Sequence, residues 1–349
     1  MLKRLKQFFI VQFASEKKTV LLLFYVFVAS RMVLYALGVR FDITYLSRAW
    51  QFIDTALLRD NLLGSVWYLH SQPPLFNLGL GLFVKLFPVG HAAVLHLLFA
   101  GCGLALSYMI YRVLRRFNFS QMVSLFVAVL FIMSQSAILF ENLFFYDYIV
   151  LTLVFMSAFF LQSFALDPKR NKSLFLFFLT LAILALTRSL FHLLWMLVFV
   201  AMMVILYRYS WRRVLLLACV PLLLVVGWYS KNAVQFGFFG ASSWMGMGLY
   251  KTMMFASSEV DRDVLYERGV LSVPPAKDPF TLDVEKVVAD AADEYAKQDI
   301  AIVMHSAREN GSYNYNYYKY IGLSDILMQD FLQVLRYDPM IYVKSVIST

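Results

Sequence analysis

The sequence predicts an all-α polytopic membrane protein. About seven transmembrane helices are expected, with further helices along the membrane surface and a C-terminal extracytoplasmic region. Three observations carry this. The 349 residues are 61% hydrophobic and only 15% charged, where a soluble chain carries about 25% charge. Apolar runs of about 20 residues, the length that spans a bilayer, recur along the chain. Clusters of lysine and arginine fall between those runs in an order that one topology satisfies.

The spans are expected at roughly 19–39, 91–111, 121–140, 149–166, 173–188, 190–207 and 213–229. The first run is longer than a signal-peptide core and has no small-x-small cleavage site before Arg31, so it reads as a retained helix. Residues 74–88 form a shorter apolar run of about 15 residues, opened by Pro73-Pro74 and carrying Lys85. Proline suits a first helical turn, where its missing N–H has no intrahelical partner to lose. Cys102 and Cys219 both lie inside apolar runs, so no disulfide framework is expected.

Basic residues settle how the short run is read. The clusters are Lys3/Arg4/Lys6 with Lys17/Lys18, Arg112/Arg115/Arg116, Lys169/Arg170/Lys172 and Arg208/Arg212/Arg213. If 74–88 lies along the outer interface, all four fall on the cytoplasmic side; if it crosses, the last three move outside. The run is therefore expected to be interfacial or half-inserted. The chain then divides into a membrane core, 1–229, with a first outer loop at 40–90, and an extracytoplasmic region, 230–349. That region holds a helical stretch at about 283–300 (Val284, Val287, Val288, Ala291, Tyr295) and another at about 323–346, broken at Asp338-Pro339.

This topology gathers the chemically interesting side chains outside. Asp42 directly follows the first span, where partial desolvation between apolar neighbours would raise its proton affinity and suit it to general-base work. It could equally be a charged residue ending a span. His70 in WYLHSQPPLFN precedes the rigid Pro73-Pro74 turn, which would hold it at a defined depth by the membrane for ligand or proton handling. A lone histidine is also often structural. Glu141 and Asp147 lie six apart at the outer end of a span, and ionisable groups at such depth are usually functional or paired. Arg188, with His192 four residues on, can grip a phosphate bidentately or snorkel to the surface. For Arg31, inside the first span, snorkelling is the simpler account. Carboxylates, a histidine and an arginine beside lipid suit attack by an acceptor hydroxyl on a sugar carried by a lipid phosphate.

In the order and sidedness of these features the sequence resembles the GT-C membrane glycosyltransferases. It resembles in particular the branch holding protein O-mannosyltransferases and lipid A aminoarabinose transferases. The features are a basic head, a span, Asp42 just outside it, His70-x-x-Pro73-Pro74-Leu75 opening an interfacial helix, and Asp147. The resemblance covers about residues 1–245. It extends thinly through Lys231-Asn232, Phe236-Gly237, Ser242-Ser243-Trp244, Tyr313-Asn314-Tyr315-Asn316, Asp338-Pro339 and Tyr342. It implies an inverting transferase using a polyprenyl-phosphate sugar donor and a lipid, glycan or protein acceptor. Asp42 would be the first-loop catalytic acid or base and Asp147 the second outer-loop acid. His70, Pro73 and Pro74 would open the juxtamembrane helix, and Arg188, with His192 and Glu141, would contact substrate. Two departures stand out. The family often has Asp-Glu in the first loop, whereas Ile43 follows Asp42. Family members usually continue with further spans, whereas this chain stops at Ile347-Ser348-Thr349, so a truncated or short member is expected.

The expected setting is a bacterial inner membrane, with the N-terminus cytoplasmic and the site periplasmic. Membrane lipids are partners; nucleic acid is not, because the net charge of +9 gathers in loops between apolar runs. No metal-ligand spacing occurs, so no cofactor is expected. The rival readings are a polytopic transporter, a different lipid-using enzyme and a non-catalytic assembly protein. A transporter would want charges in mid-span or paired halves with broken helices.

Overall fold

The computed structural model describes residues 15–288 and 300–348. The described residues are helical, with two isolated bridges and no strand. The chain divides into two units. The first comprises the described residues up to Ala49 with 75–226; the second comprises 50–74 with 227–348. The division near 226 lies close to the expected boundary at 229. The loop segment 50–74, however, groups with the C-terminal region, to which it is hydrogen-bonded through His70, Ser71 and Asp54.

In the first unit the main helices are α1 (Glu16–Ala36), α2 (Pro74–Leu86), α3 (His91–Arg116), α4 (Gln121–Met133), α5 (Gln135–Asn142), α6 (Asp147–Leu166), α7 (Asn171–Ala185), α8 (Leu193–Leu206) and α9 (Trp211–Phe236), the last running on past its end. Every expected span has a helix. By length and composition, though, four helices can cross a membrane, α1, α3, α6 and α9 with its preceding turn, or five if the bent pair α4–α5 is one span. Among the described residues, seven full-length spans are not found. The turn at 186–192 occupies seven residues of an otherwise continuous apolar stretch, so α7 and α8 are left with 15 and 14 residues. At 1.5 Å per residue each is about 22 Å long, short of the roughly 30 Å hydrocarbon core. The run expected to be interfacial is the 13-residue helix α2, which is shorter still.

The bend in α4–α5 has a local cause. Ser134 stops α4 by donating its hydroxyl to the Phe131 carbonyl (2.8 Å), and caps α5 by accepting from the Ala137 N–H (3.3 Å). Serine competes with helical hydrogen bonding in this way. The axes turn by 53° there. Leu23 and Phe27 of α1, Tyr111 of α3, and Leu125, Ala128 and Ile132 of α4 form one buried cluster. Apolar residues on the outward sides of these helices, such as Leu97, Phe126 and Leu194, stay exposed.

In the second unit α10 (Met245–Met254), α11 (Glu259–Glu267), α12 (Lys319–Tyr337) and α13 (Pro339–Ser348) surround a core. Met247, Tyr250, Met253 and Met254 of α10 meet Leu323, Leu327, Phe331 and Val334 of α12, both sets at helical spacing. The expected break at Asp338-Pro339 separates α12 from α13. Of the stretch expected at 283–300, Val284–Val287 is a short helix, and Ala291 and Tyr295 lie outside the described residues. The cluster Lys3/Arg4/Lys6 also lies outside them.

The closest approach of α10 and α12 depends on Gly246. A Cβ built there would lie 1.9 Å from the Ser324 carbonyl oxygen, whereas one at Gly248 meets nothing within 4 Å. Gly246→Ala is therefore expected to destabilise the purified chain by about 1–3 kcal/mol through overpacking. Gly248→Ala should be neutral or slightly stabilising, since alanine favours helix. Thermal unfolding in detergent compares the two, and equal midpoints would refute the close approach.

Candidate functional site

The sequence-predicted residues separate into three settings. Asp42 lies in the first unit, just past α1. Its N–H donates to the Asn142 carbonyl (2.7 Å) and its carbonyl accepts from the Phe144 N–H (2.8 Å), a parallel bridge to Leu143. The adjacent Phe41 ring packs on His96, Phe99 and Phe144, with centroids 5.0, 5.4 and 6.3 Å away. The backbone at Asp42 is thus anchored while the carboxylate stays exposed. With Arg40, Gln135 and Asn142 it lines an open hollow of about 460 Å³. The expected desolvation is outweighed. Thr44 hydrogen-bonds the carboxylate through its side chain and through its N–H (2.8 Å), and this holds the proton affinity of Asp42 below the ordinary carboxylate value. Asp42 is an ionised, water-accessible acceptor and not a base primed by burial.

Asp147 and Arg188 meet. Asp147 opens α6, where a carboxylate suits the positive end of the helix dipole. It forms an ion pair with Arg188, whose guanidinium lies 5.0 Å from the Tyr146 ring centroid. Both groups are about one-third exposed. Arg188 and His192 do not share a helical face, because 186–192 is a turn; His192 is exposed at the start of α8. Next to Arg188, Thr187 lines an apolar cleft of about 210 Å³ walled by Phe76 and Leu80 of α2, Leu98 of α3, Phe144 and Ile149. The Leu75 N–H donates to the Leu186 carbonyl (2.8 Å), which fixes the start of α2 against this turn.

Glu141 is closed off. It is fully buried, and Arg31 holds both of its oxygens, Nε to Oε1 at 2.8 Å and Nη2 to Oε2 at 2.6 Å. Arg31 also donates from Nη1 to the Ile132 carbonyl (3.0 Å), one of those the helix break leaves without an intrahelical partner. Its guanidinium lies 4.1 Å from the Phe27 centroid. Gly103 makes the room: a Cβ there would lie 2.2 Å from Oε2. Arg31 therefore does not snorkel, and Glu141 cannot reach a substrate without opening this pair.

His70, in the second unit, is a correction to the sequence reading. Its side chain has no exposed surface. Nε2 lies 2.8 Å from the Asn316 carbonyl, which can only accept, so Nε2 carries the proton and Nδ1 accepts from the Ser243 hydroxyl at 2.8 Å. The Asn316 side chain in turn accepts from the N–H groups of His70 (2.8 Å) and Ser71 (3.0 Å). Burial lowers the pKa of His70 to about 3. It is a neutral structural side chain sealed from any donor. Pro73 and Pro74 are buried as well and shape the turn without offering contacts.

Among the described residues no three His, Cys, Asp or Glu side chains gather to hold a metal ion. Compared with protein-family models, curated proteins and solved structures, the chain matches none. Sequence reasoning missed the Arg31–Glu141 partnership, although an arginine inside an apolar helix was itself a signal. It also missed the Asp54–Arg308 pair, whose members are 254 residues apart.

Two outcomes are expected here. Losing one partner of a buried ion pair costs about 3–5 kcal/mol, whereas replacing both by apolar groups costs far less. Arg31→Met should thus lower the unfolding midpoint more than Arg31→Met with Glu141→Met; equal losses would count against the buried pair. For His70 the folded pKa lies below the unfolded value of about 6.5. Its contribution is present above pH 6.5 and is lost as pH falls from there towards 3. Unfolding midpoints should fall between pH 7 and 4.5, and His70→Asn should flatten that slope.

Proposed function

We propose that this chain is an inverting membrane glycosyltransferase of GT-C type, moving a sugar from a polyprenyl-phosphate donor to an acceptor at the outer membrane face. One observation carries the reading: within the first unit, an apolar cleft is lined by Thr187, the residue before Arg188. A lipid tail in the cleft would bring its phosphate to the Arg188 guanidinium, which suits bidentate phosphate contact. The ion pair with Asp147 then acts as a holder that orients Arg188 and exchanges one anion for another.

The chemistry follows from charge. The acceptor O–H attacks the anomeric carbon from the face opposite the phosphate, and its proton passes to Asp42. The C–O bond to phosphate breaks, and the phosphate leaves with the electron pair, gaining one negative charge that Arg188 offsets. A phosphate is a good leaving group, so no strong general acid is required. A carboxylate ionised well below neutral pH accepts the proton only late, when the attacking oxygen has become acidic. His70 and Glu141 take no part in this scheme, and His192 is left as an exposed side chain near the donor.

The chain is accordingly assigned to a bacterial inner membrane with its N-terminus cytoplasmic. If α7 and α8 both cross, or if neither does, the clusters at Lys169 and Arg208 stay on one side, as the positive-inside rule asks. The transporter reading gains the Arg31–Glu141 pair, a charge pair among apolar helices. That pair is sealed, however, and lines neither the hollow at Asp42 nor the cleft.

Asp42→Asn is expected to reduce transfer from a labelled polyprenyl-phosphate sugar by about 10²–10⁴-fold, the usual worth of a general base. The fold should survive, since Asp42 is anchored through its backbone. Full activity in Asp42→Asn would remove it as the base.

A further inference from the structure

The second unit contains a cavity that the transferase reading does not use. It measures about 250 Å³, and its walls include Trp50, Gln51, Asp54, Arg308, Asn314 and Tyr315. Drug-sized ligands occupy roughly 300–1,000 Å³; this space is on the scale of a single ring.

The wall chemistry is specific. Trp50 packs against Phe280 and Tyr315, with centroids 5.2 and 4.9 Å away, yet remains 42% exposed. An indole packed against two rings and still partly exposed is a rigid stacking platform. Asp54 and Arg308 form a nearly buried ion pair (Nε to Oδ1, 2.8 Å). The Asp54 carboxylate also accepts from the Glu309 N–H (3.2 Å), and its roughly four lone-pair sites exceed these two contacts. Asn314 is locked in place, its amide donating to the carbonyls of Ile302 (2.8 Å) and His305 (2.7 Å).

Charge narrows the ligand. No lysine is among the lining residues, Arg308 is neutralised by Asp54, and Glu309 adds a negative charge. A phosphate or carboxylate finds no excess of positive charge here. An aromatic platform facing planar polar groups, with no net cation, fits a ring that has one apolar face and an edge of hydroxyls.

We propose that this cavity binds the ring of a neutral saccharide, stacked on Trp50 and hydrogen-bonded to Asp54. The proposal does not depend on the transferase reading, because binding can be measured without turnover. If that reading holds as well, the occupant belongs to the acceptor, since the donor's phosphate has no counter-charge in this cavity.

The test uses the full chain in detergent with methyl glycosides of glucose, mannose, galactose and N-acetylglucosamine, read by saturation-transfer NMR. At least one glycoside should show transfer concentrated on one ring face. Trp50→Ala should weaken its binding about tenfold, the scale of one lost aromatic contact, and Trp50→Phe should be intermediate. Trp50→Ala also removes packing on Phe280 and Tyr315. Should that variant unfold, hydrogen exchange of residues 301–316 in the native chain decides: protection by glycoside supports the site, and none overturns it. The proposal also fails if no glycoside shows transfer, if Trp50→Ala binds as tightly as the native chain, or if a sugar 1-phosphate binds better than the corresponding methyl glycoside.

Discussion

The first unit is organised around one buried ion pair. Ser134 breaks the fourth apolar helix and leaves the Ile132 carbonyl without a helical partner in a place where water is scarce. Arg31 meets that carbonyl and, with the rest of its fork, grips both oxygens of Glu141. Desolvating two charges is expensive, and such a pair survives only when its geometry and remaining hydrogen bonds are satisfied. Here they are satisfied from three directions, by the bidentate contact, the orphan carbonyl and the Tyr148 hydroxyl at 3.4 Å. Because Glu141 immediately precedes Asn142–Phe144, the same pair fixes the strand-like segment to which Asp42 is bridged. A charge inside an apolar helix thus sets the position of a carboxylate outside it.

The second unit is centred on a polar group of the opposite kind. His70 is neutral, fully enclosed and bonded through both ring nitrogens. It joins three distant pieces of chain, 68–72, 242–244 and 314–316, through side chains that read as loop residues in the sequence. The Asn316 amide, which accepts from two successive N–H groups, does the same from the other side. In both units a polar residue in apolar surroundings was the informative feature. In both, its first use is to hold backbone.

Much of the architecture was legible in advance. Hydropathy located every long apolar helix, because the bilayer length of about 20 residues is written directly into composition. Pro74 marked the start of α2, Asp338-Pro339 marked the α12–α13 break, and the cluster of acids and bases outside the spans directed attention to Asp42, Asp147 and Arg188. These are local signals, set by the covalent limits of proline and by the cost of polar groups in lipid. The tertiary structure decided the rest. Whether Arg31 snorkels or pairs depends on a residue 110 positions away, and whether His70 titrates or is sealed depends on residues 173 and 246 positions away. Whether Asp42 is desolvated depends on what covers it, and nothing in Phe41-Asp42-Ile43 says that the carboxylate faces water. Burial and partnership are properties of packing in three dimensions, and a one-dimensional pattern carries them only where the partners are neighbours in the chain.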